Sequence, residues 1–201
     1  QKTGFFTDQR DKRAAIANYA SRLPTGSSLL NCFCYTASFS IYACRANWNI
    51  KTVNIDESIR ALDEAKRNFA LNGIDLENHE FISKDVFSYL DDCIEAGTTH
   101  DIVILDPPAF AKTAKDKPRA LKAYARMARQ GISVTKPGGL LVLCSCSGSI
   151  DLNEFLDTTS EAIGTSGRSA QLVETFQHGC DHPTNLMAAE GSYLKVIFLR
   201  V

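Results

Sequence analysis

The chain has 201 residues, 44% of them hydrophobic and 22% charged, with 22 lysines and arginines against 23 aspartates and glutamates. That length supports one substantial core rather than two, and the apolar fraction excludes a disordered segment. No apolar run approaches the roughly 20 residues of a membrane helix, and a net charge of −1 means that any nucleic-acid surface must be local.

In chain order, Asp8 is placed to cap a helix running to Leu23, and the first strand follows over residues 28–33. A second strand over 51–55 leads to Ser58, which caps a helix over 59–71 that Asn72-Gly73 closes. Strands over 79–83 and 101–105 come next. Pro118 then opens a helix over 119–134, and Pro137-Gly138-Gly139 turns the chain into a strand over 140–144. Asp151 or Asn153 opens a helix over 154–163, and strands over 171–176 and 192–200 end the chain. This alternation predicts an α/β fold on a mostly parallel, doubly covered sheet. The link 178–191 has no helical pattern, whereas a parallel crossover usually needs a helix. The last strand is therefore expected to run antiparallel, giving seven strands arranged as in Rossmann-like methyltransferases.

In such sheets ligands sit outside the carboxyl ends of the strands, at the switch point. The turn after the first strand reads Asn31-Cys32-Phe33-Cys34-Tyr35-Thr36-Ala37-Ser38-Phe39. Its small residues let backbone approach a ligand, which makes Phe33, Tyr35, Thr36 and Ala37 candidates for cofactor contact. It carries no G-x-G-x-x-G cradle for a dinucleotide. Asp56 ends the second strand, where a carboxylate accepts from ribose hydroxyls or simply caps the next helix. Asp85 and Val86 follow the third strand, beside the place of an adenine amino group, and Asp85 also suits a helix cap.

The sharpest motif is Asp106-Pro107-Pro108-Ala109-Phe110, directly after the apolar strand Ile102-Val103-Ile104-Leu105. The two prolines hold the loop rigid. Asp106 then faces a planar substrate on which Phe110 can stack, with Pro107 and Pro108 alongside.

Leu143-Cys144-Ser145-Cys146-Ser147 ends the fifth strand, with both cysteines on one face. Cys146, nearer the cleft, is the candidate nucleophile. Cys32, Cys34, Cys44, Cys93 and Cys144 are read as small buried hydrophobes. Seven cysteines without zinc-type spacing point to a reducing, cytoplasmic compartment and to no metal. Between Ala111 and Gln130 stand seven basic residues and one acid. Lys112 leads a stripe in which Arg119, Lys122, Arg126 and Arg129 recur at helical spacing, suited to RNA phosphates.

These motifs resemble the bacterial large-subunit ribosomal RNA methyltransferase I family, S-adenosylmethionine-dependent cytosine-5 methyltransferases with a class I Rossmann-like domain. The resemblance is carried by the run Gln1-Lys2-Thr3-Gly4-Phe5-Phe6-Thr7-Asp8-Gln9-Arg10, the Asn31 turn, Asp106 to Phe110, Asp181-His182-Pro183 and Glu190-Gly191-Ser192-Tyr193-Leu194-Lys195. It implies one catalytic domain over residues 1–201, S-adenosylmethionine as cofactor and ribosomal RNA as partner, with no membrane and with self-association into a homodimer left open. It implies further that Phe5 and Arg10 help form the cofactor pocket, that Asp56 holds the ribose, that Asp85 lies by the adenine and that Asp106 borders cofactor and target base.

The resemblance also implies that full-length relatives carry an N-terminal RNA-binding PUA-like domain, in keeping with a chain that opens on Gln1. Two departures stand out. Ala37-Ser38 replaces glycines of the relatives, so each Cβ is expected to narrow the cofactor's approach. Ala109 stands where many RNA cytosine-5 methyltransferases have Cys, which leaves Cys146 to attack. A purine N-methyltransferase of the guanine-N7 type and an inactive RNA-binding module are the competing readings.

Overall fold

The computed structural model describes residues 4–183 and 193–201. A 3-10 turn, Thr7–Gln9, leads into α1 (Arg10–Ala20), β1 (Ser28–Cys32), α2 (Ser38–Ala46), β2 (Lys51–Asp56), α3 (Ile59–Leu71), β3 (His79–Ser83) and α4 (Val86–Glu95). The chain continues through β4 (His100–Leu105), a 3-10 turn at Ala114–Asp116, α5 (Lys117–Ser133), β5 (Thr135–Ser145), α6 (Leu152–Gly164), β6 (Gln171–Phe176) and β7 (Lys195–Arg200). The strands form one sheet in the order β3-β2-β1-β4-β5-β7-β6. All neighbours from β3 to β5 pair in parallel, and β7 runs antiparallel to both β5 and β6. This is the seven-stranded α/β architecture expected from the sequence.

The central strands are buried on both faces, with alternate residues feeding two cores, whereas the edge strand β6 is exposed. Leu30, Val103, Leu105, Leu141 and Leu143 pack with α4, α5 and α6 on one side. Leu29, Ile102, Ile104, Val142 and Phe198 pack with α1, α2 and α3 on the other. Gly131 lets α5 settle onto the sheet, because a Cβ there would lie 2.7 Å from Leu105 Cδ1 and 2.9 Å from Leu141 Cδ1. A polar chain pins α2 to the opposite face. In it Asn31 Nδ2 donates to Ser40 Oγ at 2.9 Å, and Ser40 Oγ donates to Asn54 Oδ1 at 2.6 Å.

Some local expectations need correction. Asp8 does not cap α1; it lies inside the 3-10 turn, and α1 ends at Ala20 rather than Leu23. The fifth strand begins at Thr135, so Pro137-Gly138-Gly139 forms an irregularity within it, where pairing with β4 jumps from His100↔Thr135 to Ile102↔Leu140. α5 starts at Lys117, one residue before Pro118. The last strand begins at Lys195, and Ser192 lies outside the described residues. By contrast, Ser58 accepts from Ala61 N as expected, and Asp151 with Glu154 makes a reciprocal capping box at α6. Among the described residues no helix is long and apolar enough to cross a membrane.

Candidate active site

The order of the sheet reverses between β1 and β4, and a cavity of about 640 Å3 opens beyond the carboxyl ends of the strands there. One half of its wall comes from β1 to β3 and the turns after them. Phe33, Tyr35, Asp56 and Asp85 all line it. The turn is unusual: Phe33, Tyr35 and Ala37 take positive φ of 57°, 50° and 57°. Non-glycine residues rarely adopt this left-handed region, and strain of this kind persists only where the surroundings enforce it. Here they do. Cys34 N donates to Ile55 O at 2.9 Å, and Tyr35 N donates to Asp56 Oδ2 at 2.9 Å.

Asp56 also accepts from Ser58 N through Oδ1 at 2.9 Å, so it organises the turn while facing the cavity. Asp85 is likewise both a cap, accepting from Ser88 N at 2.8 Å, and a wall residue. Thr36, Ala37 and Val86 are not on the wall. Ala37 and Val86 are buried in the two apolar cores, and the Thr36 carbonyl accepts from Asn68. Because the Ala37 methyl points into the core, it narrows nothing, contrary to expectation. Ser38 does reach the cavity.

The other half of the wall joins β4, β5 and the two ends of the chain. Asp106, Pro107, Pro108, Phe110 and Cys146 line it. The Asp106 loop is held from behind: the buried Tyr124 bonds Ser147 Oγ at 2.9 Å and accepts from Ser145 Oγ at 3.0 Å. Ser147 Oγ in turn accepts from Ala111 N at 3.1 Å, and the Phe110 and Tyr124 rings lie 4.9 Å apart. Gln9 Nε2 donates to both Asp106 oxygens, at 3.1 and 3.2 Å. Burial pushes the Asp106 carboxyl up to about 6, against the opposing bonds from Cys144 and Gln9. Burial, with the neighbouring Asp106 charge, pushes the Cys146 thiol up to about 11.

Cys146 Sγ donates to the Pro107 carbonyl at 3.5 Å. The buried Lys195 ammonium donates to the Ser147 and Tyr193 carbonyls at 2.7 and 2.9 Å and pulls the thiol back down. Cys144, fully buried, is held far above the usual thiol range, so Cys146 is the more readily ionised of the pair.

The N-terminal segment contributes differently from expectation. Phe5 and Arg10 are exposed, and Arg10 pairs with Asp181 at 2.9 Å rather than facing the cavity. Phe6, Asp8, Gln9 and Arg13 line it instead. Arg13 is 1% exposed. Its Nη1 donates to Phe6 O at 2.7 Å, its guanidinium stacks 4.2 Å from the Phe5 ring, and its buried Nε has no partner among the described residues. The signal was present in helical phase: Gln9 and Arg13 are four apart and share a face that Arg10 does not. Tyr193 and Leu194 close the wall, and their approach to the N-terminus had no local signal.

The basic residues Lys112, Arg119, Lys122, Arg126 and Arg129 are exposed. Arg126 is engaged by Asp91 at 2.8 Å and by the Phe87 ring at 4.8 Å. Lys117 pairs with Glu154. Among the described residues no group of three or more acidic, His or Cys side chains could hold a metal ion.

The cavity fits an adenosyl amino-acid ligand, with carboxylates at two strand ends, aromatic walls and an unsatisfied guanidinium nitrogen. Comparison with known proteins agrees. The chain is 39% identical over 199 residues to a ribosomal RNA large subunit methyltransferase I of Aeromonas hydrophila, covering 99% of this chain and 49% of that protein. A Yersinia pestis protein of the same name is 37% identical over 200 residues, covering 100% and 49%. This chain thus spans about half the length of the curated relatives it matches. A SAM-dependent methyltransferase from Streptococcus mutans superposes with a TM-score of 0.85 at 28% identity, covering 99% of this chain and 50% of that one. A methyltransferase solved with SAH bound gives the same TM-score at 27% identity over 99% and 50%. The S-adenosylmethionine-dependent methyltransferase family matches residues 1–200, and the chain belongs to that family.

Proposed function

We propose that the chain methylates carbon-5 of a cytosine in large-subunit ribosomal RNA, using Cys146 as a covalent nucleophile. The observation that carries this is the shared cavity wall of Cys146 and Asp106, a thiol and an acid with coupled protonation beside the cofactor's place. The names of the relatives support ribosomal RNA as substrate class, and the exposed Lys112, Arg119 and Arg126 supply phosphate contacts. A cytoplasmic location goes with that substrate, and seven free thiols suit a reducing compartment.

When bound, S-adenosylmethionine supplies an electrophilic methyl group. Asp56 would hold its ribose hydroxyls and Asp85 its adenine, with Arg13, rather than Arg10, at its carboxylate. Carbon-5 of cytosine becomes nucleophilic only after a thiolate adds at carbon-6. Between pH about 6 and about 11 the Asp106–Cys146 pair holds one proton, resting on sulfur. Asp106 takes that proton as Cys146 attacks and delivers it to N3 of the base, where negative charge develops. The Lys195 ammonium favours the thiolate throughout.

RNA containing 5-fluorocytidine tests this reading, since fluorine blocks the final release of the ring. Wild-type protein with cofactor is expected to form an adduct stable on a denaturing gel. Cys146→Ala is expected to form none and to lose methylation while keeping cofactor affinity. Methylated guanine in the product, or full activity of Cys146→Ala, would overturn it.

A further inference from the structure

Methyl transfer leaves carbon-5 carrying both the new methyl group and a hydrogen, and that proton must leave before Cys146 can be expelled. Neither group assigned so far can receive it. Asp106 must take back the proton at N3 as the ring is restored, and Cys146 departs with the electron pair of the carbon–sulfur bond. A second base must face the same cavity.

Resting on the cytosine reading above, we propose that the Asp8 carboxylate, oriented by the Tyr193 hydroxyl, is the base that accepts the carbon-5 proton. Asp8 lines the cavity together with Asp106, Cys146 and Tyr193. It is 9% exposed, and its Oδ2 accepts from Tyr193 Oη at 2.8 Å across 185 residues of sequence. Its Oδ1 is buried and has no partner among the described residues. A buried carboxylate with one oxygen bonded and the other bare is a costly arrangement for mere scaffolding, and it is what a proton acceptor needs.

The Lys12 ammonium, fully buried, donates to the Asp8 carbonyl at 2.7 Å and to Gln177 O. Gln9, the next residue, spans the gap to Asp106 and donates to both its oxygens. Asp106 and Asp8 thus face one cavity, tied together by Gln9, and each carboxylate has its own side-chain donor. In the step itself the carbon-5–hydrogen bond breaks and its proton goes to Asp8 Oδ1. Its electron pair forms the carbon-5–carbon-6 double bond, and the carbon-6–sulfur pair returns to Cys146. The N3 proton goes back to Asp106, and Asp8 later releases its proton to solvent.

RNA tritiated at cytosine carbon-5 separates this step from methyl transfer. In a single turnover, Asp8→Asn is expected to transfer the methyl group within about threefold of wild type but to release tritium on the order of 100-fold more slowly, the size of a lost general base. Methylated protein–RNA adduct should accumulate on a denaturing gel. Tyr193→Phe, which keeps the carboxylate, should slow release about tenfold, one lost hydrogen bond's worth, and leave transfer unchanged. Tritium release from Asp8→Asn at the rate of methyl transfer overturns the assignment. So does an equal loss of both steps in Asp8→Asn and Tyr193→Phe, which marks a structural role. No tritium release and no 5-fluorocytidine adduct from wild type overturns the cytosine reading, and this one with it.

Discussion

The two halves of the cavity wall hold their carboxylates in opposite ways. In the half built by β1 to β3, Asp56 and Asp85 accept from backbone N–H groups of Tyr35, Ser58 and Ser88. Bonds of that kind fix the direction of the carboxylate. In the half built by β4, β5 and the chain ends, Asp106 and Asp8 are met by side chains 97 and 185 residues away, and burial lifts Asp106 to about 6. The first arrangement suits steady acceptance of hydroxyl and amino donors. The second suits proton transfer, because a modest change in surroundings moves the proton.

The largest expected effect lies in the second half. Asp106→Asn keeps the shape but cannot take up or deliver a proton, and should cost on the order of 100- to 1000-fold in methyl transfer. The pH profile sharpens the point. Below about 6 the wild-type pair holds two protons and Asp106 cannot accept from Cys146, so kcat/KM should rise as pH increases through about 6. That limb should vanish in Asp106→Asn. A retained limb would assign it to another group.

In the first half, Asp56→Ala should weaken S-adenosylmethionine binding by about 2–3 kcal/mol, the loss of charge-assisted bonds, measured by calorimetry. At saturating cofactor its methyl transfer should stay close to wild type. A large kcat defect in this variant would break the division between holding and proton transfer.

The smallest effect belongs outside both halves. Replacing Arg119 and Arg126 by Ala should weaken RNA binding similarly for many sequences and flatten its salt dependence by up to about two charges' worth. Arg126 contributes the lesser share, since Asp91 and Phe87 already engage it. Loss for one sequence alone, at unchanged salt slope, would count against phosphate contact.

The same division explains what could be read from the chain before its structure. Ser58 and Asp85 are fixed by caps a few residues away, and the ends of apolar strands announce Asp56 and the Asp106 loop even though some of their bonds come from far along the chain. On the α1 side the resemblance pointed to Phe5 and Arg10, whereas the 3-10 turn at Thr7–Gln9 leads into α1 so that Gln9 and Arg13 line the cavity. Ala37 looked like an obstruction in a linear motif. Three alternating positive-φ residues turn its methyl into the core instead. The Tyr193–Asp8 bond depends on an antiparallel final strand returning beside the N-terminus, and no local pattern encodes such a meeting.

That turn of three left-handed residues has a consequence for the order of events along the chain. Each such residue stores on the order of 1–2 kcal/mol, and the bonds that compensate are accepted by the Ile55 carbonyl and the Asp56 carboxylate at the end of β2. The turn can therefore close only after β1 and β2 have paired, so it is a late-forming element of folding. Opening it in the native state breaks these bonds and uncovers the buried Cys34 and Ala37. A ligand that bridges Tyr35 and Asp56 acts on this opening directly. Its binding would be registered as slowed exchange of the Cys34 and Tyr35 amides, with the sheet interior unaffected.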